Sequence, residues 1–600
     1  MPGMPYKIMS IITRKLEGGN TFITICAAGF GGGMEIIMRI KKVLAVVLSV
    51  AMVFSLSACG KSDKSTKDNK DTTVDVTQES TTGDQGEIDT SAVSFPLKES
   101  VKLSVFMVQD SYVSDINENT VFKDLEKATN IDFELTLVSY QDAAEKLNLL
   151  LVSGEYPDVI MGPTLSAQDL EKYGVREQIL TPINDLIDQY CPNIKQRLEE
   201  NPTWKDNMKS SDGNIYGIPS VDSGGIGHVN SAMKYWINQE WLKNLKLDMP
   251  TTTEEFKNVL MEFKNNDPNG NGIADEIPLS GAINAWNADP YLFLFNAFGY
   301  FTTDYYYLKD DKINSVLDQD YIKEGLRYMN DLYENGLIDP AAFTQDNSQL
   351  SAIGNNLDTE ILGASGAGHV GMLFDINNVE RYIKYAMMLP LKGPEGYQKI
   401  PYQTSISVSG SQFTITDKCK NPEIAIQIAD LFSSEEWTVK GQIGVQGKGW
   451  DIADAGSLGM DGVTPAKIKF LVYQTPAQVT DAWWGTYRGM EPDWKVTVET
   501  VGDIMDPANF ESRLYVDTMK LKPYAADVEV MPSLLYSGDD TATFTQIQTA
   551  VNDYAKLAIV DFIIGNRNLD TDWDSYLAEL DKLGYAKMIE LIQKTYDAKK

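Results

Sequence analysis

Residues 101–108 read VKLSVFMV and residues 131–138 read IDFELTLV, two runs rich in β-branched and aromatic side chains with partial alternation, which predicts strands. Between them, Val121–Thr129 predicts a helix. After them, YQDAAEKLNLLLVS (140–153) places Ala144, Leu147, Leu150 and Leu151 at helical spacing, and Gly154 supplies the stop. Tyr156-Pro157-Asp158-Val159-Ile160-Met161 opens a third strand, with proline at the start, where its missing N–H costs little. Strand–helix–strand–helix–strand within about 65 residues predicts an α/β unit on a mostly parallel sheet. Two later helices follow the same logic. Residues 319–336 put Ile322, Leu326, Met329 and Tyr333 on one face and stop at Gly336. Residues 422–433 open with Pro422 and Glu423, both favoured in a first turn, and align Ile424, Ile428 and Leu431.

The chain has 600 residues, 43% of them hydrophobic and 10% aromatic, enough for a substantial core. Its 52 basic against 85 acidic residues give a net charge of −33, which repels phosphate backbones and argues against a nucleic-acid partner. Only two histidines occur, His228 and His369. They lack metal-ligand spacing and read as loop or core residues. No G-x-S-x-G elbow, P-loop or H-E-x-x-H is present, and Gly225-Ile226-Gly227 and Gly366-Ala367-Gly368 fail the dinucleotide fingerprint. A paired-carboxylate glycosidase needs no fixed motif. The adjacent acids Glu199-Glu200 and Glu435-Glu436 nonetheless read most simply as solvated helix faces.

Residues 38–60, MRIKKVLAVVLSVAMVFSLSACG, join a basic head to an apolar stretch, Val43–Leu56, too short for a comfortable membrane span. This is the pattern of a secretory signal. Its end, Leu56-Ser57-Ala58-Cys59, resembles the lipobox of bacterial lipoproteins, which implies that Cys59 is lipidated and becomes the mature N-terminus. Signals begin chains, so residues 1–37 are expected to be a mis-assigned upstream segment, with translation starting at Met38 and Met34 as second choice. Residues 38–58 are then the signal, and 59–95 the lipidated cysteine and a flexible tether. Gly60–Ser91 has no aromatic residue and no proline and is dominated by Thr, Ser, Asp and Lys, too polar to offset its chain entropy by burial. As a random coil it would spread about 30 Å. Cys191 and Cys419 remain, either as a disulfide or as two free thiols.

Six strings then line up in order: SGEYPDVI (153–160), GNIYGIPSV (213–221), WINQEWLKNLKLDMPTTTEEF (236–256), GHVGMLFDINNVERY (368–382), LPLKGPEGY (389–397) and KNPEIAIQIADLFSSEEW (420–437). Together they resemble the family 1 extracellular solute-binding proteins of ABC transporters, carbohydrate type, over about Val101 to Gly449, and only weakly after Trp450. Taken singly, each string is a scaffold feature. Met249-Pro250-Thr251-Thr252-Thr253-Glu254-Glu255, for example, is a threonine cap with acids in the first turn. The resemblance implies an α/β, two-lobed periplasmic-binding-protein-like fold with discontinuous lobes and a ligand cleft between them. The first lobe is expected to comprise 97–220 plus 390–435, and the second 221–389 plus 436–600. Its implied role is to capture an extracellular carbohydrate, an oligosaccharide by size, and to deliver it to ABC permease subunits while anchored to the cell membrane by lipid, as on a Gram-positive surface.

The loop Asp267-Pro268-Asn269-Gly270-Asn271-Gly272-Ile273-Ala274-Asp275-Glu276 follows EF-hand spacing. Oxygen side chains stand at positions 1, 3, 5 and 9 (Asp267, Asn269, Asn271, Asp275), glycine at 6 and the Ile273 carbonyl at 7. Position 12 is Pro278 where a bidentate Glu is usual. Glu276, at position 10, is the expected substitute, as in similar loops of alginate-type binding proteins. The expected cofactor is a structural Ca²⁺; an Asn/Gly-rich turn that binds nothing is the alternative.

Sugar sites pair aromatic platforms with polar side chains. The expected ligand contacts are Asp110 and Tyr112, just past the first strand, and Asp222 and Asp375, in similar loops. Trp286 with Tyr291 follows the calcium loop, where members of the family often contact ligand. Tyr402 stands at the re-entry to the first lobe, Trp450 after a glycine turn, and Trp483, Trp484, Tyr487 and Arg488 form the densest aromatic cluster. Adjacent Trp483 and Trp484 cannot face the same way on an extended chain, so one of them should be structural. Trp204, Trp236, Trp241 and Trp437 are expected in the core. A secreted carbohydrate-active enzyme and a surface adhesin or sensor are the competing classes.

Overall fold

The strand Val101–Gln109 alternates its side chains between two cores. Leu103, Val105 and Met107 pack with Val121, Phe122 and Leu125 of the helix Thr120–Thr129, whereas Phe106 and Val108 pack with Ala143, Leu147 and Leu151 of the helix Ala143–Ser153. Covered on both faces, the strand sits inside a sheet ordered Ser411–Ile415, Val159–Leu165, Val101–Gln109, Ile131–Ser139. Its three early strands are parallel and Ser411–Ile415 is antiparallel. Asp158 joins the early strands by accepting hydrogen bonds from Ser104 N (2.8 Å) and Oγ (2.5 Å). The computed structural model describes residues 94–600, apart from 111–112, 141, 222–232, 357–358, 401–407, 409, 473–477, 486 and 537–538, together with the backbone strands Ile12–Lys15 and Thr21–Thr24. The expected signal, Cys59 and almost all of the tether lie outside the described residues.

A second sheet is ordered Tyr385–Met388, Tyr235–Asn238, Leu362–Gly366, Ile277–Ser280. On it lies the helix Thr253–Asn265, which opens with a capping box between Thr252 and Glu255 and buries Phe256, Val259, Leu260 and Phe263. The helices Asp539–Ile563, Trp573–Leu583 and Tyr585–Lys599 complete this core. Tyr585 Oη accepts from Val316 N at 2.8 Å. A small third sheet, Trp450–Ile452, Ile468–Phe470 and Val498–Glu499, covers Val439, Met460 and Trp494. Two α/β layers with separate cores make the two-lobed fold the sequence predicts.

Val221 packs in the first core and Met233 in the second. Leu391 and Ile400 still pack in the second core, and the first resumes at Val408. The cause is local: Lys392 N donates to Thr251 O (2.8 Å) and Lys392 O accepts from Thr253 N (3.1 Å), pinning that stretch to the second lobe. In the other direction, Trp437, Trp484, Tyr487 and Met490 join the first core rather than the second. Trp204 packs there too, and Trp236 and Trp241 are buried in the second lobe.

Cys191 and Cys419 are free thiols. Burial raises Cys419 to about 11 and Cys191 further, so neither is a ready nucleophile. Among the described residues, no helix is long and apolar enough to cross a membrane.

Candidate ligand cleft

A cavity of about 300 Å³ lies where the two lobes and the small sheet converge. Trp483 and Arg488 come from the segment tied to the first core, His369 and Glu511 from the second lobe, and Gln442, Phe470, Trp494 and Lys495 from the helix and small sheet between. Aromatic faces and polar edges thus meet in one enclosure, the combination a sugar requires. Lys495 and Glu511 pair across it at 3.9 Å. Gln442 donates to the buried Glu491 and so holds its own amide in place. Arg488 is fixed through its backbone N, which donates to Ser220 Oγ at 3.2 Å.

The expected aromatic cluster divides. Trp484 is 1% exposed and stacks on Phe432, with centroids 5.0 Å apart, in the first core. Trp483, 6% exposed, turns the other way and lines the cavity. A turn here, with Ala482 N and Trp483 N both donating to Val479 O, precedes the pair, and the packed side took Trp484. Tyr487 is likewise fully buried, packed against Phe413 and Phe432 in the first core.

Other expected contacts scatter. Tyr291 is 5% exposed, packed on Phe295 and Phe301, and does not reach the cavity; an aromatic run here served the second core. Asp375 is an exposed turn residue whose Oδ1 accepts from Asn377 N at 3.0 Å. Trp450 packs half-buried against the small core, its Nε1 donating to Gly444 O at 3.0 Å. Asp110 follows the first strand, half-buried, its carbonyl accepting from Val113 N. Trp286 is 59% exposed and stands beside His369, centroids 6.4 Å apart. Tyr112, Asp222 and Tyr402 lie outside the described residues.

The cavity is also lined by His369, Gln442, Phe470, Trp494, Lys495 and Glu511, none of which sequence reasoning singled out as a ligand contact. One signal pointed to His369: it follows the carboxyl end of the strand Leu362–Gly366, where open α/β sheets hold ligands.

The loop 267–276 folds around its own oxygens. Asp267 Oδ1 accepts from Gly270 N (2.8 Å) and Asn271 N (3.1 Å), and Oδ2 from Gly272 N (2.8 Å). Asn269 Oδ1 accepts from Asn271 N and Asn271 Oδ1 from Ile273 N, while both amide nitrogens donate to Asp275. Gly270 and Gly272 adopt φ of +75° and +76°, left-handed values that side chains rarely take. Glu276 Oε1 is buried with no hydrogen-bond partner. Burial, then the charges of Asp275 and Asp267, raise its pKa above the ordinary 4.5. Among the described residues, no group of three or more His, Cys, Asp or Glu gathers closely enough to hold a metal. An ion here would therefore draw on the asparagine oxygens and the Ile273 carbonyl as well. The orphaned Glu276 oxygen and the all-oxygen donor set fit a hard cation.

The family model described as bacterial extracellular solute-binding protein matches residues 115–439. The chain belongs to this family. The solute-binding protein is 32% identical over 525 residues, 84% of this chain and 92% of the other, to the fructooligosaccharide ABC transporter substrate-binding protein FusA of Streptococcus pneumoniae. The solved structure of FusA in complex with kestose aligns at TM-score 0.69 and 29% identity, covering 83% of this chain and 99% of that one. A FusA EF-hand mutant in complex with fructo-nystose aligns at 0.69 and 28% identity, again over 83% and 99%.

Proposed function

We propose that this protein captures an uncharged oligosaccharide in the cavity between its lobes, with Trp483 as platform and Arg488, Gln442 and His369 among its polar contacts, and delivers it to the permease subunits of an ABC transporter. The observation that carries this reading is the convergence of groups from both lobes on one aromatic-walled enclosure, which a closing hinge completes. A 300 Å³ enclosure is small for a whole oligosaccharide, so it takes one end of the chain, and exposed Trp286 stands where a further sugar would extend. The 32% identity to FusA makes fructooligosaccharides the first class to test. Asp110, Asp375, Trp450 and the undescribed Tyr112, Asp222 and Tyr402 remain candidate contacts under the same reading.

We favour capture over bond cleavage, and one feature of the lining supports that reading. Among the described residues there, Glu511 is the one carboxylate, and it is paired with Lys495, whereas glycoside hydrolysis takes two. Asp267, Asn269, Asn271, Asp275, Glu276 and the Ile273 carbonyl would hold Ca²⁺, far in sequence from the cavity lining, as a clip on the second lobe. Lipidation of Cys59 would keep the protein at the membrane beside its permease. Thermal-shift screening of the full chain against fructooligosaccharides and other neutral oligosaccharides tests the reading. A rise in melting temperature with intact sugar recovered supports it; cleaved sugar would move the protein to the enzyme class.

A further inference from the structure

The strand Leu362–Gly366 runs into Ala367, Gly368 and His369 before the short helical turn Val370–Met372. At His369 the backbone is extended (φ −153°, ψ 159°), and the ring packs edge-on against Phe510, centroids 5.4 Å apart, with Trp286 beside it. Two glycines make room for this wall. A Cβ at Gly368 would come within 2.2 Å of the Trp286 ring, and one at Gly371 within 3.2 Å of His369 Nδ1. His369 lines the cavity, yet its Nδ1 is buried without a hydrogen-bond partner.

Buried polar atoms are nearly always paired, and a buried N–H left without an acceptor is rarer than an unused lone pair. A neutral imidazole carries its one proton on one of two nitrogens. The lone pair therefore belongs on Nδ1, and the proton on Nε2, at the edge left to face the cavity. We propose that His369 donates this Nε2–H to a hydroxyl or ring oxygen of an uncharged sugar, so that the Gly366–Gly371 turn, with Trp286, is a specificity-determining wall of the cleft. The inference rests on the oligosaccharide-binding reading above. Burial, with Lys234 and Lys495 nearby, holds the imidazole down to about 4, so the donor stays neutral at ordinary pH and matches a hydroxyl better than a carboxylate.

The test is calorimetric titration of kestose into the full chain and into two variants, with melting temperatures measured alongside. His369→Phe keeps a ring but no donor and is expected to weaken binding about tenfold or more. His369→Gln restores an N–H and is expected to recover most of the affinity. Unchanged affinity in His369→Phe overturns the inference while leaving the cleft reading intact. Affinity lost equally in both variants, with melting temperature falling alongside, assigns His369 a packing role and overturns it too. If the wild-type chain binds neither kestose nor any other neutral oligosaccharide, both readings fall together.

Discussion

Two neighbouring tryptophans separate binding from stability at the level of single residues. Trp484→Ala empties the stack on Phe432 and is expected to cost about 3–5 kcal/mol in a urea melt. Trp483→Ala removes the cavity platform and is expected to weaken oligosaccharide binding about tenfold or more, with a smaller loss of stability. His369 adds a pH signature. Its folded pKa of about 4 lies below the ordinary 6.5, so between these values the unfolded chain binds a proton that the folded one refuses. Stability therefore falls as pH drops from 6.5 to 4, by up to about 3 kcal/mol from this group. His369→Gln should lose correspondingly less stability than wild type across that window in paired denaturation curves. Equal losses would mean that the imidazole is not held neutral.

The loop 267–276 is the element whose chemistry is most separable. Asp267 takes three backbone N–H groups, so Asp267→Ala destabilises the turn with or without an ion; a chelator on wild type is the cleaner probe. EGTA is expected to lower the wild-type melting temperature by several degrees, since binding to the folded state alone stabilises it. Glu276→Gln should abolish most of that response. Because the Glu276 pKa is raised above 4.5, calcium must displace a proton as pH falls through it, and the chelator effect should shrink there. A melting temperature indifferent to EGTA at pH 7 would leave the loop as a turn alone.

Elements also show where the chain was readable before folding. The strand at 101–109, the helix at 320–334 and the helix at 422–432 fall within a few residues of their predicted spans, because apolar spacing, caps and glycine stops act locally. Trp483 and Arg488, singled out as part of a dense aromatic and cationic cluster, both line the cavity. Tyr291 packs in the second core, and an aromatic run looks the same in sequence whether its rings face a cleft or a core. Gln442, Lys495 and Glu511 carry no local mark at all; only the meeting of two lobes and a small sheet brings them to one wall.

For the whole molecule, Val221 packs in the first core and Met233 in the second, Ile400 in the second and Val408 in the first, and Trp437, Trp484, Tyr487 and Met490 pack with the first core. The acidic excess of −33 works against binding a polyanion. Everything proposed for the cleft depends on one event: a neutral sugar held between the lobes, with Trp483 beneath it. Calorimetric titration of kestose and further neutral oligosaccharides into wild type and Trp483→Ala measures that event directly. The account predicts saturable one-to-one binding by wild type, about tenfold or more weaker binding by the variant, and sugar recovered intact. No saturable heat from any oligosaccharide, or a Trp483→Ala variant that binds as tightly as wild type, would contradict it.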